Sequence, residues 1–469
     1  MLDLAPEDIT EGPLLRALVG LAAPLFVQNL VQVAQQVVDL FWLGRLSGGA
    51  VAAVGLAFPV IGLLFGVVGI AALVGTQVLV SQRVGGDDRE GARRAGFTGL
   101  AVGIAVGLAG GVVMVLGARP VVALLTIVQP LAGSAGDVPS LTVAYLSVFA
   151  FALPLGGASD AVEGSFIGWG DSRAPLYISV VTVLVNAALD PVLIFGLGPV
   201  PRLGIRGAAL ATALGFGGGL LTALALVATG RNEGMYSRAA AVLDPGEVRE
   251  LLDVGLPVAG QQVARQTVRI AIVGVVFVAG GAAGLAAYNV GARVAAIAFI
   301  PAIGLQQAAQ SVVGQNLGAG RPERARRATW LGVALAAGGL AVVGVVQWLV
   351  PVFVTTLLTP DLGERGLSLS VEYLRILAYG YPAIGAAYLL EGGFNGARRT
   401  RTSFVATLVQ FWAVRLPIAA VGGVLLGVGV VAVFWAVTLS NIAAALGLAA
   451  YYRYSTAGGM LDRAVAATD

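Results

Sequence analysis

This 469-residue chain states one pattern twice. VSQRVGGDDREGARRAG (80–96) and VGQNLGAGRPERARRAT (313–329) align at an offset of 233. Identical pairs include Gln82/Gln315, Glu90/Glu323, Arg93/Arg326 and Arg94/Arg327, and the same offset carries Pro24 onto Pro257. A second pair, YLSVFAFALPLGGASDAVEGSFIG (145–168) and YLRILAYGYPAIGAAYLLEGGFNG (373–396), aligns at 228 and matches Tyr145 to Tyr373, Pro154 to Pro382 and Glu163 to Glu391. Self-similarity over spans this long restricts the fold to two related halves.

The halves belong in a bilayer. Hydrophobic residues make up 58% of the chain and charged ones 11%, and apolar runs of about 20 residues recur throughout. The segment MLDLAPEDITEGP is acidic and lacks the basic start and cleavage site of a signal peptide, so the first span is expected to be retained. There is no Cys and no His, and all 28 basic residues are Arg. Disulfides, thiols and imidazoles are therefore excluded, along with most intramembrane enzyme chemistry. A repeated membrane fold of this kind points to a secondary transporter whose path runs between the halves. A passive channel fits the repeat less well.

Apolar runs predict twelve helices, at 15–43, 51–80, 93–118, 139–168, 174–197, 206–229, 248–280, 283–316, 326–357, 367–395, 402–426 and 429–453. The expected division is an N-terminal lobe over 1–230, a cytoplasmic linker over 231–247 and a C-terminal lobe over 248–469. With the N-terminus inside, eighteen arginines fall on the cytoplasmic side, five outside and five within spans. This asymmetry predicts that both termini are cytoplasmic.

Helix one carries Gln28, Gln32, Gln35, Gln36 and Asp39 at helical spacing, with Pro24 upstream as a kink site. Such a stripe either forms a hydrogen-bonded seam within a bundle or lines a substrate cavity, and five polar residues ending in a carboxylate favour the cavity. On helix five, Asn186 and Asp190 share a face and end at a similar depth, and Thr212 enters helix six at that level. These oxygen ligands suit Na⁺, while a desolvated carboxylate would equally carry H⁺. The residues alone leave both ions open.

Glu163 and Glu391, at the inner ends of their helices, read as structural braces or gates, with Arg293 or Arg415 available to neutralise one of them. Gln261, Gln262, Arg265, Gln266 and Arg269 form a second polar stripe on helix seven, a poor place for a bare cation. The basic loops at 83–94 and 321–327 fit cytoplasmic topology and contact with anionic lipid better than a nucleotide site. No P-loop occurs, so no cofactor is expected. The expected partners are small organic substrates and membrane lipids, with no nucleic acid, and the chain is expected to be monomeric.

QVVDLFWLGRLSG (36–48), TQVLVSQRVGG (76–86), EGSFIGWGDSRAP (163–175), NAALDPVLIFG (186–196) and GIRGAALATALG (204–215) occur in the order found in the multidrug and toxic compound extrusion (MATE) transporters, which this chain resembles over nearly its whole length. FNGARRTRTS (394–403) departs from the family's second-half pattern. The resemblance implies an all-α polytopic membrane protein of the cell's inner (plasma) membrane. It has twelve transmembrane helices in two pseudo-symmetric six-helix lobes around a central cleft. It further implies antiport, in which H⁺ or Na⁺ enters while amphipathic, cationic organic compounds leave. On the family's DinF-like branch the coupling residues lie in the N-terminal lobe, where Asp39, Asn186, Asp190 and Thr212 match them. A lipid-linked oligosaccharide flippase of the same superfamily is the alternative, kept open by Arg265 and Arg269.

Overall fold

Crossing about 30 Å of hydrocarbon takes about 20 residues of helix, since each backbone polar group has to be satisfied within its own segment. The computed structural model describes residues 6–128, 136–360 and 362–466, and no strand occurs among them. After a short turn of helix, Pro6–Thr10, the first six spans are α1 (Leu14–Leu46), α2 (Gly48–Gly85), α3 (Arg89–Val128), α4 (Val138–Phe149 with Ala152–Gly168), α5 (Arg173–Phe195) and α6 (Ile205–Ala228). A long rod, Pro245–Ala298, is broken at Gly281, where φ is 60° and ψ −156°. Residues 245–280 form α7, and 282–298 continue through Ile300–Gly318 as α8. Then come α9 (Pro322–Leu349), α10 (Glu364–Gly396), α11 (Thr400–Leu425) and α12 (Val430–Ala457). The protein is thus an all-α polytopic membrane protein with twelve spans, six in each half.

The turn at Gly281 needs glycine, because that region of backbone space is closed to any residue with a Cβ. Elsewhere proline sets the breaks. The two parts of α4, expected as one helix over 139–168, are bent by 45°. Pro154 has no N–H to offer the carbonyl of Ala150, which accepts from Leu153 N at 3.3 Å instead. The ninth helix, expected over 326–357, stops at Leu349, and a separate short helix starts at Pro351. In α11 the backbone widens into π-turns over Val409–Arg415 and Val421–Leu425, on either side of a segment that contains Pro417.

The described residues fall into two compact units, one within 27–259 and the other made of 6–26 with those from 260 to 466. The boundaries fall two residues after Pro24 and two after Pro257, the repeat-related prolines of α1 and α7. In the first unit Leu146, Leu153 and Ile194 centre one cluster, and Leu79, Phe166 and Ile178 another. In the second, Leu18 and Leu21 pack with Val312, Leu390 and Tyr452, while Val268, Tyr381 and Phe434 form a further cluster. Between apolar helices in lipid, close van der Waals fit replaces the hydrophobic drive. Gly103 of α3 and Gly157 of α4 show that fit: a Cβ on either would land on the other's carbonyl oxygen.

Candidate functional site

Asn186 and Asp190 project from one face of α5, and both are buried, Asp190 at 1% exposure. Glycine brings α6 to them: a Cβ on Gly215 would stand 2.9 Å from the Thr182 carbonyl and 3.1 Å from the Asn186 Cβ. Thr212, one turn earlier on α6, therefore faces Asn186, with Nδ2 to Oγ1 at 3.4 Å. Turning the Asn186 amide over satisfies both of its ends. Nδ2 then donates to Asp39 Oδ1 at 2.8 Å, and the oxygen accepts from Thr212 N at 3.2 Å. The Gln35 amide lies 3.2 Å from the same nitrogen. Such amides are oriented by their hydrogen-bond network, and this orientation ties α1, α5 and α6 together.

The Asp39 carboxyl is also within hydrogen-bonding reach of Asp190. Apart from that contact, neither oxygen of Asp190 has a hydrogen-bond partner among the described residues. All four residues expected to couple an ion, Asp39, Asn186, Asp190 and Thr212, thus meet at one place. Tyr145 of α4 belongs with them. It is buried, lies within hydrogen-bonding reach of Thr212 and electrostatic reach of both carboxyls, and stacks on Phe149 at 5.8 Å. Its match to Tyr373 in the repeat was the available signal. Among the described residues, no group of three or more acidic side chains is arranged to hold a metal ion.

The glutamine stripe divides. Gln35 joins the acidic site, whereas Gln28 is buried and donates to Glu163 Oε2 at 2.7 Å. Gln32 and Gln36 are exposed along α1, and Pro24 is buried upstream. Glu163 also accepts from Ser159 Oγ at 3.4 Å, and Asp160 is close by. Asp160 escaped sequence reasoning, although an acid three residues before Glu163 on an apolar helix is visible in the sequence.

In the second unit the partner of Glu391 is Arg265. Its Nη2 lies 2.9 Å from Oε1 and 2.8 Å from Oε2, and Gln306 adds a donor at 3.3 Å. Neither residue expected for that task performs it. Arg415 donates to Ser440 Oγ at 2.9 Å and Asn441 Oδ1 at 2.6 Å, and Arg293 is exposed. Gln28–Glu163 and Arg265–Glu391 brace repeat-related helices, α1 to α4 and α7 to α10, from positions one helical turn apart: the offset of 233 sets Gln28 on Gln261 and Gln32 on Arg265.

The basic loops serve partly as clasps within their own units. Arg83 bridges Glu247 and Glu250, each at 2.8 Å, and Arg321 reaches Glu11 at 2.7 Å. Tyr236, in the segment before α7, shares a 3.1 Å hydrogen bond with Ser165 and donates to the Gly96 carbonyl at 3.3 Å. Burial pushes its phenol well above the usual range.

A MatE family model matches residues 24–192 and 257–421, one copy in each half. The chain belongs to the MatE family. This is a transporter family, and its fold accounts for the twelve spans. A probable multidrug resistance protein NorM of Pseudomonas aeruginosa is 31% identical over 457 residues, covering 94% of this chain and 90% of the relative. One from Deinococcus radiodurans is 28% identical and covers 98% and 99%. Among solved structures, an outward-facing multidrug resistance MATE transporter aligns with a TM-score of 0.87 at 22% identity, covering 97% of this chain and 99% of that one. A MOP superfamily transporter from Pyrococcus furiosus aligns at 0.86, also at 22% identity, over 96% and 98%. As a MatE member with NorM-named relatives, the chain is a multi-pass membrane protein related to multidrug efflux transporters.

Proposed function

We propose that this MatE protein is an antiporter that exports amphipathic organic compounds in exchange for H⁺ or Na⁺ by alternating access. The observation that carries the reading is the meeting of the Asp39 and Asp190 carboxyls beside Asn186 and Thr212. Two negative charges about 4 Å apart repel by about 4 kcal/mol at an effective dielectric near 20. A proton or a cation between them removes that repulsion and draws α1 onto α5, and its departure drives them apart. The movement has a pivot in Pro24, which lies two residues before α1 passes from one packing unit to the other. Ion occupancy at Asp39 is thereby converted into helix position.

The coupling residues follow the DinF-like arrangement, with Asp39, Asn186, Asp190 and Thr212 all in the N-terminal half. The lobes are assigned as 1–230 and 248–469, with 231–247 as a cytoplasmic linker. Gln28, Gln32, Gln35 and Gln36 mark the substrate path, and Glu163 and Glu391 brace it. The arginine asymmetry supports cytoplasmic termini, and the family resemblance supports a cell (plasma) membrane location. A monomer in contact with lipid suffices for this mechanism. The test is dye efflux from proteoliposomes under an imposed Na⁺ gradient and, separately, a pH gradient, with Asp39→Asn alongside. Efflux driven by one ion and lost in the variant names the coupling ion. Undiminished coupling in the variant overturns the reading.

Arg265 and Arg269 favour a second reading, flipping of a lipid-linked oligosaccharide. Binding of a lipid pyrophosphate that requires those arginines, with no ion-driven dye efflux, would select it.

A further inference from the structure

Arg326, Arg327, Trp330, Arg453 and Thr456 line one cavity of about 490 Å³ in the second unit. It lies where the first turns of α9 meet the last turns of α12, at one end of both spans. Three guanidinium groups share it, and no acidic side chain lines it. Among the described residues Arg327 and Arg453 have no carboxylate partner, and Arg326 has Glu323 at 2.7 Å. Both members of that pair are exposed, so it neutralises little. Like charges gathered in one hollow repel one another until an anion lies among them.

The hollow is held in shape by its aromatic wall. Trp330 meets Tyr452 edge-on at 5.9 Å, and the Tyr452 hydroxyl donates to Thr329 Oγ1 at 2.9 Å, which ties α12 to α9. The Arg453 guanidinium lies 5.1 Å over the Trp330 ring. That contact orients the guanidinium plane and leaves its N–H edges to an oxyanion. Toward the membrane interior the same helix faces turn apolar. Ala450 and Leu446 lie one and two turns from Arg453 on α12, Ala334 lies two turns from Arg327 on α9, and all three are exposed. A basic cavity with a tryptophan at its edge, above exposed apolar helix, has the polarity profile of the lipid headgroup region.

The first half has no equivalent. The offset of 233 sets Arg326, Arg327 and Trp330 on Arg93, Arg94 and Phe97, yet α6, the sixth span as α12 is the twelfth, has no charged residue after Arg206. The arginine that completes the cavity from the last span is present once in the chain.

We propose that this cavity binds the phosphate of an anionic membrane phospholipid. Arg327 and Arg453 grip the phosphate oxygens from two helices, Arg326 stands at the rim, and the acyl chains run along the faces that carry Ala334, Ala450 and Leu446. With the topology proposed above, the lipid belongs to the inner leaflet. The site requires neither ion coupling nor a transported cargo, so it stands or falls apart from the antiport reading.

The probe is dioleoyl phosphatidylglycerol, mixed equally with dioleoyl phosphatidylcholine in nanodiscs from which the protein is released for native mass spectrometry. Phosphatidylcholine has the same phosphate but would bring a quaternary ammonium among the arginines. The parent protein should retain phosphatidylglycerol about tenfold or more over phosphatidylcholine. Arg327→Gln and Arg453→Gln should each lower that preference by about threefold or more, and together remove it. Gel filtration and thermal unfolding check that the variants are folded. Arg94→Gln, which removes the same charge at the repeat-related position, should leave the preference unchanged. Equal retention of the two lipids by the parent protein, or an undiminished preference in the folded double variant, overturns the site. A loss in Arg94→Gln as large as in Arg327→Gln overturns it too, because general attraction to basic loops would then suffice. Glycerol 3-phosphate, a headgroup phosphate without chains, separates the sources. In about tenfold excess it should leave phosphatidylglycerol in place, and displacement would assign the cavity to a soluble phosphate and overturn the lipid assignment.

Discussion

Arg265 holds Glu391 through a single nitrogen placed within 2.9 Å of both carboxylate oxygens. The repeat-related Glu163 is held by Gln28, a neutral amide. Removing one member of a buried ion pair leaves the other charged and unpaired, at a cost of about 3–5 kcal/mol. Arg265→Ala should therefore be strongly destabilising, whereas Arg265→Gln, which leaves Glu391 facing a neutral amide as Glu163 faces Gln28, should cost less than half as much. Thermal unfolding in one detergent ranks the two, and equal losses would contradict the brace.

Asp39→Asn and Asp190→Asn should each reduce ion-driven efflux to below about a tenth of the parent rate while leaving the protein folded. The reason is geometric: each carboxyl is the other's neighbour across α1 and α5, and one acid alone does not remake the site. Thr212→Ala removes only the hydroxyl and should weaken coupling by less. Initial rates in proteoliposomes decide the order. An Asp190→Asn protein with full coupling would remove Asp190 from the site.

Gly281→Ala should destabilise by about 1–3 kcal/mol, because alanine is strained at φ 60° and ψ −156°. Open space surrounds the position, so a clash does not contribute. Gly157→Ala has the opposite origin, an ordinary helical backbone with Gly103 too close. Gly103→Ser would not relieve it, since the contact is with backbone. Comparing the unfolding temperatures of the three variants separates strain from overlap.

Burial raises the folded-state pKa of Tyr236 above its unfolded value, so the phenol stabilises the linker fully below about pH 10. That contribution is lost as pH rises through the folded value. Tyr236→Phe should cost about 1 kcal/mol at neutral pH, for the hydrogen bonds to Ser165 and Gly96. The gap between parent and variant should shrink above pH 10. A constant gap up to pH 11 would show that the hydroxyl is not buried.

Helix number and order were legible because about 20 apolar residues are required for each span, and the chain repeats them. Breaks within spans were harder to foresee. Pro154 bends α4 while Pro382, its repeat mate, stays inside an unbroken α10, so proline alone does not specify a break. Asp39, Asn186, Asp190 and Thr212 could be grouped by depth and face, which is one-dimensional information carried by helical spacing. Which glutamine joins them depends on how α1 is rotated against its neighbours, and spacing does not report rotation. Tyr145 and Asp160 were passed over because a tyrosine or an acid on a single helix does not disclose its neighbours. The same limit hid Arg265 as the partner of Glu391, since several arginines lie at comparable depth.

The packing boundaries after Phe26 and Ala259 separate the order of synthesis from the order of assembly. Leu18 and Leu21 leave the ribosome near the start, yet they pack against Val312, Leu390 and Tyr452, which come hundreds of residues later. Through most of translation, the first turns of α1 therefore wait without their final neighbours. A chain released early, before the last helices are made, would keep that apolar segment unmatched and recognisable to quality-control machinery.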